Sequence, residues 1–331
     1  MTPEPLLRIE DLVTVFDGAE GALRAVDGVS LEIASGETVG LVGESGCGKS
    51  VLALSILRLL PRPQARVIAG RVLWRGADLL ALPDPAIRRV RGKEIAMIFQ
   101  EPMTSLNPVL TIGSQIEEAI RVHEDVGRDE AWGRTVDLLG RVGIPSPADR
   151  ARDYPHQLSG GMRQRVMIAM ALSCGPSLLI ADEPTTALDV TVQAGILDLL
   201  RRLQKESGMA VLLITHDMGV VAEMARRVLV MYAGQIVEEA SVSDLFERPL
   251  HPYSAALLES VPRLDAPRGR LRAIPGAVPD PRAFPAGCRF HPRCPIAVPE
   301  CREAVPPLET KGSARRARCI KVLGAVGGTR T

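Results

Sequence analysis

The chain of 331 residues predicts an α/β fold built on parallel strands, on three observations. The stretch TVGLVGESGCGKSVLALSILRLL (38–60) reads as a short apolar strand, a glycine-rich loop and an apolar helix. SLLIADEPTTALD (177–189) contains a second buried strand, Leu178-Leu179-Ile180-Ala181, which ends in two carboxylates. YPHQLSGGMRQRVMIAMAL (154–172) enters a helix through Ser-Gly-Gly.

Each element carries its own chemistry. Gly43-Glu44-Ser45-Gly46-Cys47-Gly48-Lys49-Ser50 fits the pattern G-x-x-x-x-G-K-[ST] between a strand and a helix. Its glycines let backbone N–H groups turn inward around phosphate oxygens. The helix that follows adds roughly half a positive charge at its start. Lys49 would reach the β- and γ-phosphates and the Ser50 hydroxyl would ligate Mg²⁺. Cys47 reads as a small loop residue and not as a nucleophile. A carboxylate at the C-terminal end of a parallel strand faces the ligand crevice, so Asp182 would hold Mg²⁺ or its water. Glu183, one residue on, is placed to polarise an attacking water. Ser159 suits an N-cap, and Gly160 and Gly161 expose N–H groups at a positive helix end, a second anion site. One chain thus carries two half-sites for a triphosphate.

Bulk properties limit the setting. Charged residues at 24% and hydrophobic residues at 46% are ordinary for a globular protein. No apolar run approaches the ~20 residues that span a membrane. The start MTPEPLLRIEDLV lacks the pattern of a signal peptide. The chain is therefore expected in the cytosol, where structural disulfides are rare. The net charge of +1 conceals an asymmetry: residues 261–331 hold 14 Lys/Arg against 5 Asp/Glu, leaving 26 against 34 upstream. Such a tail could meet nucleic acid, acidic lipid or an acidic protein surface, or stay solvated.

LSGGM, the phosphate loop, LLIADEP, Leu188-Asp189 and ITHD (214–217), in these positions, resemble the ATP-binding subunit of an ABC transporter over about residues 6–250. The resemblance implies a RecA-like P-loop ATPase core, an antiparallel β subdomain and a helical subdomain at about 101–175. Helical patterns near 112–123 and 130–142 agree with the last. It also implies head-to-tail pairing with a second ATPase subunit, the same or a homologous chain. Each ATP would lie between one phosphate loop and the partner's LSGG segment. By matching position, Gln100 contacts Mg²⁺ and reports to the membrane subunits, Asp189 lies at the dimer seam and His216 is the switch histidine near the γ-phosphate. Phe16, in VTVF, takes the place of the aromatic that stacks on adenine.

Two further segments narrow the resemblance. EPMTSLNPVLTIGSQI (101–116) and HPYSAALLESVPRL (251–264) are similar to the dipeptide, oligopeptide and nickel importers. The implied function is an ATPase powering peptide import, with two transmembrane permease subunits and an extracytoplasmic substrate-binding protein, at the cytoplasmic face of the cell membrane. A nickel or other small-solute importer of the same group is the alternative. A soluble ABC ATPase acting on nucleic acid or ribosomes fits less well, because the chain has one set of motifs and no sustained heptads. No nucleic acid partner is expected.

Residues 251–331 form a C-terminal extension, and IPGAVPDPRAFPAGCRFHPRCPIAVPEC belongs to the same resemblance. Cys288, Cys294, Cys301 and Cys319 are spaced C-x5-C, C-x6-C and C-x17-C, without the close pair of a zinc knuckle. Four thiolates match the ligand count of a [4Fe–4S] cluster, which the resemblance also implies. Zinc and unligated thiols remain open. The segment is rich in Pro and poor in large apolar residues, so a metal centre is expected to fold it. Lying far in sequence from Lys49 and Glu183, it is expected to be separable from the ATP chemistry.

Overall fold

The computed structural model describes residues 4–18, 21–100, 105–186, 188–260, 274–311 and 315–323. The chain divides into two compact units, residues 1–5, 33–37 and 81–214 in the first and residues 6–32, 38–80 and 215–331 in the second. Residues 101–104, the start of EPMTSLNPVLTIGSQI, and residues 261–264, the end of HPYSAALLESVPRL, lie outside the described residues.

The second unit opens with a sheet of β1 (Leu7–Gly18), β2 (Gly21–Ile33), β4 (Ala65–Trp74) and the short β5 (Ala77–Asp78), ordered β2-β1-β4-β5. β1 and β4 run antiparallel, Leu7 opposite Trp74 through to Phe16 opposite Ala65. β3 (Thr38–Val42) is buried at every residue, as its unbroken apolar run requires. It pairs in parallel with β9 (Arg227–Tyr232), which turns back antiparallel into β10 (Gln235–Ser241), followed by the short helix α9 (Val242–Glu247). The helix α1 (Lys49–Ile56) follows β3 through the glycine loop.

The first unit holds a parallel set, β6 (Ile95–Ile98), β7 (Leu178–Asp182) and β8 (Ala210–Thr215), in the order β8-β7-β6. Its helices include α2 (Asp84–Val90), α3 (Ile112–His123), α4 (Arg128–Arg141), the single turn α5 (Pro147–Arg150), α6 (Gly160–Leu172) and α7 (Val190–Ser207). Ile112, Ile116 and Ile120 on α3, and Ala131, Thr135 and Leu139 on α4, recur every four residues and are buried. Gly208 ends α7 with φ of 69°, a left-handed position that favours glycine.

The extension is ordered by the core of the second unit. Phe290, 1% exposed, packs with Tyr232 and Tyr253 in a cluster that includes Val230, Val237 and Leu257. Ring centroids lie 5.2 Å from Phe290 to Tyr232, edge to face, and 5.4 Å from Phe290 to Tyr253. Ile274, Val278, Phe284, Cys288 and Cys294 pack against the same cluster. Two residues of β12 (Arg316–Ala317) extend the sheet edge along β10, and β11 (Glu309–Thr310) pairs with β12. A metal centre is therefore not the sole source of order in this segment, because its few large apolar side chains complete a core that β9, β10 and α10 (Pro252–Glu259) already build. Truncation of Phe290 to Ala should cost about 3–5 kcal/mol in denaturant unfolding. It should also make the extension the first segment cut in limited proteolysis.

Candidate functional site

The phosphate loop takes its shape from close backbone approaches. Gly43, Gly46 and Gly48 have φ of 155°, 77° and 106°. A Cβ on Gly43 would stand 2.2 Å from the Met231 carbonyl oxygen, and one on Gly48 2.3 Å from that of Ala25. The carbonyl of Cys47 accepts the Gly234 N–H at 2.8 Å, tying the loop to the β9–β10 turn. Lys49 is buried, its ammonium donating to the carbonyls of Gly43 (2.9 Å) and Glu44 (3.1 Å). Ser45 and Gly46 are exposed, Ser50 is half-buried, and Cys47 is enclosed. Burial pushes the Cys47 thiol above its ordinary range, which keeps it protonated and unreactive.

Phe16 and His216 lie in the same unit as this loop. Phe16 is half-buried near the end of β1, and His216 is exposed just past β8. Asp217 beside it caps α8 (Met218–Met224), accepting the Gly219 and Val220 N–H groups.

The first unit gathers the carboxylates. Asp182 ends β7 and is 2% exposed. Glu183 follows with φ of 48°, a left-handed conformation that is costly for a residue with a Cβ and is found where a site over-determines the backbone. Its N–H donates to the Ile214 carbonyl at 2.9 Å. One carboxylate oxygen, Oε2, accepts both the Thr186 hydroxyl (2.7 Å) and the Gln100 amide (3.2 Å). The structure thus brings Gln100 to Glu183. Thr186 is a partner that sequence reasoning missed, although its place three residues after Glu183 was a signal.

Ser159 is the N-cap of α6, accepting the Met162 N–H, and Gly160 is exposed beside it. Gly161 is required by packing: a Cβ there would stand 2.7 Å from a methyl of Val192 on α7. Asp189, exposed, caps α7 by accepting the Val192 N–H at 2.9 Å. The start of α6 and the Asp189 cap of α7 therefore share one valine.

The four extension cysteines converge. All are free thiols, and Cys288, Cys294, Cys301 and Cys319 line one small pocket with His251 and Phe290. Among the described residues no group of three or more His, Cys, Asp or Glu side chains is gathered closely enough to hold a single metal ion. His251 is 1% exposed, and its Nδ1 accepts the Tyr253 N–H at 3.0 Å, so Nε2 carries the proton of the neutral ring. Burial pushes this imidazole down to about 3. Its Nε2 is buried without a hydrogen-bond partner, on a residue that walls the thiol pocket. Four thiols on the wall of one pocket are the donor set of an iron–sulfur cluster.

A glycine loop that presents N–H groups and a lysine at a helix start, with carboxylates at a strand end elsewhere in the chain, defines a P-loop nucleotide-binding protein. Residues 26–186 match the ABC transporter family, and residues 237–301 match the oligopeptide/dipeptide transporter C-terminal region. A Brucella ovis protein named as a peptide import ATP-binding protein is 55% identical, covering 97% of this chain and 98% of its own. The oligopeptide transport ATP-binding protein AppD of Bacillus subtilis is 52% identical, covering 95% of this chain and 96% of its own. The ATP-binding cassette MJ0796, solved as a dimer after hydrolysis with ADP and phosphate, superposes with a TM-score of 0.65 at 28% identity, over 71% of this chain and 98% of its own. The chain belongs to the ATP-binding subunits of ABC transporters and is an ABC-type ATPase. Substituting Gly43 by Ala should cost at least about 1–3 kcal/mol of strain. Thermal unfolding would then shift downward, and added ATP should no longer raise the midpoint.

Proposed function

We propose that this chain powers the import of peptides across the cytoplasmic membrane, as a peripheral subunit paired with a second ATPase subunit on two membrane-spanning permeases. The single observation that carries the cargo class is the match of residues 237–301 to the oligopeptide/dipeptide transporter C-terminal region. An extracytoplasmic binding protein would deliver the peptide. Among the described residues no helix is long and apolar enough to cross a membrane.

In this reading Lys49 leaves the carbonyls of Gly43 and Glu44 for the β- and γ-phosphates, and the N–H groups of residues 45–50 at the start of α1 surround them. Phe16 stacks on the adenine. Ser50, Asp182 and Gln100 would hold Mg²⁺, which when bound neutralises charge on the phosphates. Glu183 turns its carboxylate from Gln100 and Thr186 to a water and takes its proton as the oxygen attacks the γ-phosphorus. The bond to the β–γ bridging oxygen breaks, and His216 donates to the γ-phosphate oxygens. Ser159, Gly160 and Gly161 offer N–H groups to the ATP on the partner's loop, with Asp189 at the seam.

The extension cysteines would ligate one [4Fe–4S] cluster, supported by their convergence on one pocket. Such a group supplies four metal–thiolate bonds that tie the segment's distant turns together.

Glu183→Gln should retain ATP binding and lower hydrolysis at least 10²-fold, with ATP-bound dimers accumulating in size-exclusion chromatography. Turnover at the parent rate would remove Glu183 from this role. In vesicles carrying the whole transporter, peptide uptake should stop with the same substitution. Mixed dimers test the shared site: Lys49 and Ser159 defects placed in the same chain should damage both composite sites, whereas one defect in each chain should fall in a single site, leave the other intact and give the higher residual rate. Anaerobically purified protein should contain about four irons per chain. Stoichiometric zinc without iron would sink the cluster.

A further inference from the structure

Residue 44 of the phosphate loop is held from three directions, two of which belong to the C-terminal segment. Its N–H donates to the Tyr253 hydroxyl at 2.8 Å. Its carboxylate takes a two-pronged contact from Arg293, Nη1 to Oε2 at 2.7 Å and Nη2 to Oε1 at 3.0 Å. Its carbonyl accepts the Lys49 ammonium. The Arg293 side chain is only 4% exposed. It is fixed by the Pro275 carbonyl (2.8 Å), contacts the Tyr232 hydroxyl (3.3 Å) and stands over the Tyr232 and Phe290 rings. The ion pair raises the guanidinium further above its ordinary range.

These gripping residues alternate with the residues of the thiol pocket. His251 and Pro252 line the pocket, and Tyr253 holds the loop. Phe290 and Cys294 line the pocket, and Arg293 between them holds the loop. No residue of the loop pattern requires either contact, and neither has a part in the hydrolysis chemistry.

We propose that Arg293 and Tyr253 are positioning residues of the ATP site, which fix the Glu44 peptide so that the order of the extension sets the affinity of the phosphate loop for ATP. The inference rests on the reading of residues 43–50 as the triphosphate loop. Two physical effects act together. A bidentate guanidinium–carboxylate pair fixes orientation as well as distance, which a single contact does not. Arg293 also neutralises a carboxylate on a loop that is to receive a triphosphate, and an unpaired Glu44 would repel it. A loop whose residue 44 wanders must be reordered whenever ATP binds, which weakens binding without touching the water-activating carboxylate.

The test uses the full-length chain with MgATP. Arg293→Gln should raise the Kd and KM for ATP about tenfold, with kcat at saturating ATP changed less than twofold. Arg293→Lys, which keeps the charge but loses the fork, should fall between. The decisive arm is the double variant Glu44→Gln/Arg293→Gln. With the orphaned carboxylate removed but residue 44 still without the fork, affinity should recover only in part, to about threefold below the parent. Full recovery would leave charge repulsion as the whole effect and overturn the positioning role. A merely structural contact would give a double variant weaker than either single, and that result overturns the proposal. Should Arg293→Gln fail to fold, Tyr253→Phe keeps the ring in its core and deletes only the acceptor of the Glu44 N–H. It too should raise the Kd for ATP severalfold, and an unchanged Kd overturns the inference. Lys49→Ala separates the two levels. Unaltered ATP binding in that variant would refute the loop itself. Weakened binding there, with Arg293→Gln and Tyr253→Phe at parent affinity, refutes only the role of the extension.

Discussion

The folding of this protein's ATP site depends on one constraint: the phosphate loop must run within backbone contact of its surroundings on both sides. Gly43 lies against the Met231 carbonyl, Gly48 against that of Ala25, and the Gly234 N–H closes onto Cys47. Atoms at such separations leave no room for a Cβ, so the glycines are dictated by packing as much as by the need to turn N–H groups inward. Strand β9 supplies Met231 and the turn after it supplies Gly234, which makes the β3–β9 pair the template on which the loop is cast. Buried Lys49 completes the arrangement, its ammonium donating to the loop's own carbonyls at Gly43 and Glu44.

The same template explains where the C-terminal extension goes. β10 would present an open edge, and β12 covers part of it, as exposed sheet edges invite unwanted pairing. Glu238 on β10 is fully buried, and its carboxylate accepts the N–H groups of Leu250 and His251, fixing the entry to α10. From there Tyr253 reaches the loop, and the tail returns with Phe290 to fill the gap between Tyr232 and Tyr253. Arg289 adds an ion pair to Asp27 and donates to the Ala233 carbonyl, so residues next to Cys288 and Cys294 are both anchored on the ATP-binding core.

How much of this was legible depended on range. The phosphate loop, the carboxylates after β7 and the Ser159 cap are local patterns: a few residues and their neighbours carry the physics. The Gln100–Glu183 contact was not legible: the family resemblance put Gln100 on Mg²⁺, and 83 residues separate the pair. The grip of the extension was not legible. Glu44 and Arg293 lie 249 residues apart, and each alone reads as an ordinary solvated charge. Distance in sequence suggested that the cysteine segment stands apart from the ATP chemistry, whereas in the fold it adjoins the loop. Counting apolar residues in that segment also misled, because Phe290 and Phe284 complete a core made mostly by other strands. β11 and β12, two residues each, are too short to show any period.

The division of the chain into two units gives these contacts a direction. The phosphate loop, Phe16, His216, Tyr253, Arg293 and the thiol pocket share one unit. Glu183, Gln100, Thr186 and the Ser159-Gly160-Gly161 helix start share the other. Residues of the extension touch the phosphate loop at Glu44 and belong to a different unit from Glu183. A disturbance at the cysteines is, on this proposal, transmitted first through Arg293 and Tyr253 to residue 44, whose carbonyl accepts the Lys49 ammonium. Binding, rather than the bond-breaking step, is the stage at which the extension can act.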